Sequence, residues 1–264
     1  MRMKRNQLHS FARAFALILS LAIVTTACEK ESQKENPVFE GPRVSIGNGK
    51  TYTWVKLRAD GNPDKLGITL TKDALENLPQ DPNDHHHNTF TLQLHQKASA
   101  IPFDHVTVDW NPVGHPPQNL FMVPHFDFHF YAMTQGERAQ IPPYQVDPSK
   151  HDILPPAEYM PQDYQRIPEG VPAMGVHWAD MTAPEFNGEP FTYSFLYGSY
   201  NGKVTFLEPM VKYQFLKDGG TVNQTIKQPQ KYMRSGFYPT KFRIYKENDL
   251  YQVVLEDFVY RTQS

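Results

Sequence analysis

Apolar and polar positions alternate with period two over much of the chain, the pattern of half-buried β-strands. Tyr52, Trp54 and the run Val55–Leu57, answered by Lys65–Leu70 after Asp60-Gly61-Asn62-Pro63, predict a first hairpin. Asn88–His95 puts Phe90, Leu92 and Leu94 on one face, and His105–Trp110 groups Val106, Val108 and Trp110. Phe191–Tyr200 and Lys203–Leu207 flank Asn201-Gly202, a dipeptide that favours the tight hairpin turn. Lys241–Lys246 and Leu250–Tyr260 form a last predicted pair around Glu247-Asn248-Asp249. Helical periodicity is confined to Thr71–Leu78, with a threonine in N-cap position, and Thr134–Ile141. From Pro142 to Pro172 there are 8 prolines, which predicts a long arm over 142–172. The expected fold is mainly β: an antiparallel β-sandwich or barrel-like domain over 44–262, with α+β as the alternative.

The N-terminus changes the picture of where this domain works. Arg2, Lys4, Arg5 and Arg13 precede an apolar run from Phe15 to Val24. That run is about ten residues, where a bilayer-spanning helix needs roughly 20. Residues 1–27 therefore read as a signal peptide. Thr25-Thr26-Ala27 before Cys28 resembles a lipobox, with threonine in place of the usual leucine, and marks Cys28 for lipidation. Cys28 is the only cysteine, so no intrachain disulfide is available. Residues 28–43 follow as a lipidated cysteine and flexible spacer; the stretch 29–37 is charged and free of large apolar side chains. The expected location is the cell envelope, with the protein held on a membrane, in particular the outer membrane, by its lipid. Loss of the four basic signal residues takes the formal charge from −2 to −6, which argues against a nucleic-acid partner.

Candidate chemistry concentrates between Asp109 and Tyr131. On a strand, His125, Asp127, His129 and Tyr131 share one face, while Phe126, Phe128 and Phe130 take the other. Same-face neighbours lie about 6.5 Å apart, so one ion can be held by two members of the row, with the third orienting a ligand. His115 in Gly-His-Pro, His177 in Gly-Val-His-Trp, and Glu208 at a strand end are the further candidates. Imidazoles with a carboxylate suit zinc, manganese or iron. A structural hydrogen-bond network and a metal-free catalytic dyad are the competing readings of the same residues. His85-His86-His87 reads as an exposed loop. Nucleophile-elbow, phosphate-loop and dinucleotide motifs are missing from the sequence.

The segments WNPVGHPP, VPHFDFHFY, MGVHW, FLYGSYNGKVTFLEPM and TLTKDALENLP together resemble a bacterial family of exported proteins of unknown function. Its representative is a thermophile protein under extracytoplasmic sigma-factor control. The resemblance runs from about Gly47 to Leu216. It implies an extracytoplasmic role and matching positions for His115, His125, Asp127, His129, His177 and Glu208, and it carries no enzyme activity. Three functions follow: an exported metal-binding lipoprotein, a non-catalytic envelope binding or assembly module, and a metal-dependent enzyme. The arm over 142–172 offers a contact for a homo-oligomer; a small-molecule ligand is left unidentified.

Overall fold

The computed structural model describes residues 36–81 and 88–264, and Asn36–Ser264 is one compact unit. The signal segment, Cys28 and the His85–His87 triplet lie outside the described residues. The chain first lays down β1 (Val38–Glu40), β2 (Val44–Ile46), β3 (Gly49–Leu57) and β4 (Pro63–Thr71). The next seven strands all belong to a second sheet: β5 (Thr89–Gln93), β6 (His105–Asn111), β7 (His125–Tyr131), β8 (Tyr164–Arg166), β9 (Val176–Asp180), β10 (Tyr193–Tyr200) and β11 (Lys203–Lys212). The chain then returns to the first sheet with β12 (Val222–Thr225), β14 (Lys241–Glu247) and β15 (Leu250–Glu256). β13 (Gly236–Tyr238) and β16 (Val259–Arg261) pair as a separate ribbon.

The first sheet has the order β1-β3-β4-β15-β14-β12, with β2 also on β3; the second is β5-β6-β7-β11-β10-β9-β8. All pairings are antiparallel and neither sheet closes, so the sandwich holds and the barrel does not. One apolar core lies between the layers, where Val55, Ile68, Val253 and Phe242 meet Val106, Phe128, Phe130 and Phe195. The Phe195 and Phe242 rings, from opposite sheets, sit 4.8 Å apart. Fully burying each of Phe126, Phe128 and Phe130 contributes roughly 1.5–3 kcal/mol, which seats β7 firmly in the interior of its sheet, between β6 and β11.

Several boundaries differ from the sequence reading. Part of the expected spacer is a strand, because Val38–Glu40 pairs with β3. Lys72–Leu75 forms only a 3₁₀ turn: the Thr71 hydroxyl accepts from the Lys50 backbone N–H and caps nothing. The second helix is present as α1 (Gln135–Ala139), held by a reciprocal capping box between Thr134 and Glu137. Leu250–Tyr260 is two strands, broken at Asp257 with φ +57°. The proline-rich arm folds back on its own chain. His151 and Met160 are buried, the Asn201 and Gly202 N–H groups donate to Lys150 and Ile153 carbonyls, and β8 closes the edge of the second sheet against β9.

Candidate metal centre

The outer face of the second sheet carries the chemistry. Strand register sets Asn111 opposite His125, Asp109 opposite Asp127, and Thr107 opposite His129. On the other side of β7, Met210 lies opposite Asp127 and Phe206 opposite Tyr131, with Glu208 midway on β11. His177 on β9 faces Gly198, the neighbour of Phe206, so β9 reaches the row across a position with no side chain. Four strands thus deliver polar groups to one buried patch.

Two loops complete it. His115 is set by the turn after β6, where Gly114 has φ +76° and a side chain would strike the Phe121 carbonyl. Phe121 is fully buried in a satellite core with Phe191, Leu196 and Met210, and this anchors the loop. Gly175, at φ +104° and packed on the Ser199 carbonyl, turns the chain into β9 just before His177. Replacing Phe121 with alanine is expected to cost about 3–5 kcal/mol in denaturant unfolding. Metal affinity should fall with it, because His115 loses its support; an unchanged affinity would remove that loop from the site.

The six predicted residues come together, but as two clusters rather than one. His115, His125 and Asp127 form the first; His129, His177 and Glu208 form the second, and within each the donor atoms lie within 4.8 Å of one another. Each is a set of two histidines and one carboxylate. Asp127 presents Oδ2 to His115 Nε2 and Oδ1 to His125 Nε2, both at 3.2 Å. Glu208 presents Oε1 to His129 Nε2 and Oε2 to His177 Nε2, both at 3.4 Å. Of the strand row, His125 and Asp127 fall in one cluster and His129 in the other, so the row divides between Asp127 and His129.

Hydrogen bonds orient these rings from behind. His115 Nδ1 and His125 Nδ1 each lie 2.7 Å from a carbonyl, of Pro116 and Val123. A carbonyl only accepts, so both Nδ1 atoms carry the proton, and in the neutral ring Nε2 offers a lone pair to the cluster. His129 Nδ1 donates to Asp109 Oδ2 at 2.9 Å, and Asp109 also accepts from Thr107 and Thr89, both at 2.6 Å. Asn111 holds Asp127 Oδ2 at 2.7 Å. Asp109 and Asn111 are site residues that the motif reading did not single out. Their signal is the parity of β6, whose Thr107, Asp109 and Asn111 alternate with Val106, Val108 and Trp110.

Electrostatics follow burial. Burial opposes ionisation of Asp127, but the His125 and His115 groups beside it hold its carboxyl well below the usual range. Burial, with the charges of Asp127 and Asp109, pushes Glu208 well up. Burial and the neighbouring His129 and His115 bring His177 down to about 3, so its ring is neutral at physiological pH. Burial works against protonation of His115, yet its hydrogen bond to Asp127 raises it. A divalent cation would favour ionised Glu208 over the proton.

Both clusters open to a cavity of about 680 Å³, whose wall includes Asp127, His129 and His177. The molecule is thus a two-sheet β protein with a paired histidine–carboxylate patch under a solvent-connected cavity. A family model described as TTHB210-like (Hypothetical protein TTHB210) matches residues 59–110, a stretch running into β6 that includes Asp109 but none of the six candidate ligands. No curated protein and no solved structure was found to match the chain.

Proposed function

We propose that this chain is an exported, lipid-anchored metal-binding protein, with metal held at the clusters formed by His115, His125 and Asp127 and by His129, His177 and Glu208. One observation carries the metal reading. His125 Nε2, Asp127 Oδ1, His129 Nε2 and Glu208 Oε2 are buried and have no hydrogen-bond partner among the described residues. Such atoms are costly in a folded interior unless something satisfies them. Each nevertheless lies 3.2–3.4 Å from another donor atom of its triad: His125 Nε2 from Asp127 Oδ1, His129 Nε2 from Glu208 Oε1, and Glu208 Oε2 from His177 Nε2. Ligands about 2.1 Å from one cation stand about 3.4 Å apart in a tetrahedral site and about 3.0 Å apart in an octahedral one. The spacing therefore fits coordination, whereas a purely structural polar network would use these atoms in hydrogen bonds. Zinc, manganese and iron all suit such donors.

The envelope half of the reading is supported by the signal-like N-terminus, Cys28 and the absence of other cysteines. The resemblance to a family whose thermophile representative is under extracytoplasmic sigma-factor control agrees with it. Elemental analysis of protein purified without chelator or affinity tag is expected to give stoichiometric metal, lost on combined His125→Ala and His129→Ala substitution. Metal-free wild-type protein would sink the metal reading. Palmitate incorporation lost in Cys28→Ser is the expected sign of the tether, and unlabelled wild-type protein would overturn it.

A further inference from the structure

Resting on the metal-binding reading, the geometry points to a two-ion centre: each triad holds its own divalent ion, and the pair receives the carboxylate of a small organic monocarboxylic acid in the cavity above. The two-ion part follows from how the donors divide. Asp127 and Glu208 each stand between two imidazoles of their own, one oxygen per ring, and every close histidine–carboxylate pair among the six residues lies within one triad. The two rings of each triad meet at steep angles, 71° for His115 and His125 and 78° for His129 and His177. The nearest members of the two triads, Asp127 and His129, are same-face neighbours on β7, about 6.5 Å apart along the strand. Three protein ligands leave coordination positions open on each ion.

The ligand class follows from charge and wall chemistry. Two divalent ions bring four positive charges. Asp127, Glu208 and the supporting Asp109 supply three negative ones, which leaves one uncompensated charge at a buried site. Among the described residues the cavity wall contains no lysine or arginine, so the ions would be its cations. Its carboxylate at the mouth, Glu169, is exposed and accepts a hydrogen bond from Gln145. The polar groups nearest the ions are committed elsewhere: Asn111 to Asp127, Thr89 to Asp109, Asn88 to the Asp81 carbonyl. A monoanion that binds metal through oxygen neutralises the residual charge, whereas a phosphate dianion exceeds it. The lining also has an apolar share, Pro116, Pro117, Ile167, Val171 and Met174. That share suits a hydrocarbon body, and about 680 Å³ lies within the usual range for a small-molecule site.

The test uses purified protein with His85, His86 and His87 replaced by asparagine, so that the triplet contributes no metal. Elemental analysis is expected to give two ions per chain, one in Asp127→Asn and one in Glu208→Gln, both near-isosteric changes. Calorimetric titration with 3-phenylpropionate should show binding, weakened at least about tenfold in either single-ion variant and for the matching alcohol, 3-phenylpropan-1-ol. Val171→Asp, at a partly exposed wall position, should keep two ions and weaken the acid through like-charge repulsion. One ion per wild-type chain overturns the two-ion centre and leaves the metal-binding reading standing; none overturns both. Two ions with equal affinity for acid and alcohol, with no binding of either, or with inorganic phosphate bound more tightly than the acid, overturn the ligand assignment.

Discussion

Removal of bound metal by a chelator is expected to lower the Tm of this protein by about 10 °C. A ligand that binds the folded chain and not the unfolded one stabilises by about 4 kcal/mol when present at a thousandfold its Kd. For a domain of this size, each kcal/mol moves Tm by about 2–4 °C. The physical source is local. Six buried nitrogen and oxygen atoms on β7 and β11 have no hydrogen-bond partner among the described residues, four of them in the triads, and the Asp127 charge pushes the Glu208 carboxyl up after burial has done so. The donors come from β7, β9, β11 and the loop after β6, residues far apart in sequence, so the unfolded chain presents no equivalent site. Calorimetric scans with chelator, and again after adding back zinc, manganese or iron, check the expectation. A Tm indifferent to both treatments would mean that the triads satisfy themselves without an ion.

The strand that carries the row could be read from local sequence because its two periodicities coincide. Phe126, Phe128 and Phe130 need a core on one side, and that obliges His125, Asp127, His129 and Tyr131 to share the other. The Asn201-Gly202 hairpin was equally readable: both residues adopt positive φ, which asparagine and glycine tolerate. What local pattern could not supply was pairing. His177 and Glu208 join His129, and not Asp127, only because β11 and β10 place β9 at one particular register beside β7. The arm over 142–172 was invisible as structure for another reason. Its ordered elements are three residues long, Ala157–Tyr159 and Tyr164–Arg166, too short to show a period. Its attachment instead depends on single contacts, such as Lys227 Nζ at 2.7 Å from Asp163 and 2.8 Å from Asp180.

Asp109→Asn is expected to weaken metal binding by about 10–100-fold while leaving the metal-free fold nearly as stable as before, and the separation of these effects follows from the bonds that Asp109 makes. Its Oδ2 accepts from both Thr107 and His129, and its Oδ1 accepts from Thr89. An asparagine can keep its carbonyl oxygen in the Oδ2 position and turn its amide toward Thr89, whose hydroxyl rotates from donor to acceptor. Packing and hydrogen-bond number are then preserved. What is lost is the carboxylate that accepts from His129 Nδ1 and orients the ring so that Nε2 faces a cation. Asp109→Ala removes the partner of three buried donors as well, so it should also lower stability. Metal titration and denaturant unfolding of the apoprotein, run on both variants, separate the two effects. If Asp109→Asn lowers apoprotein stability as far as Asp109→Ala, Asp109 is a structural anchor of the β6–β7 pair. If affinity alone falls, the carboxylate tunes a metal ligand from a position that touches no metal.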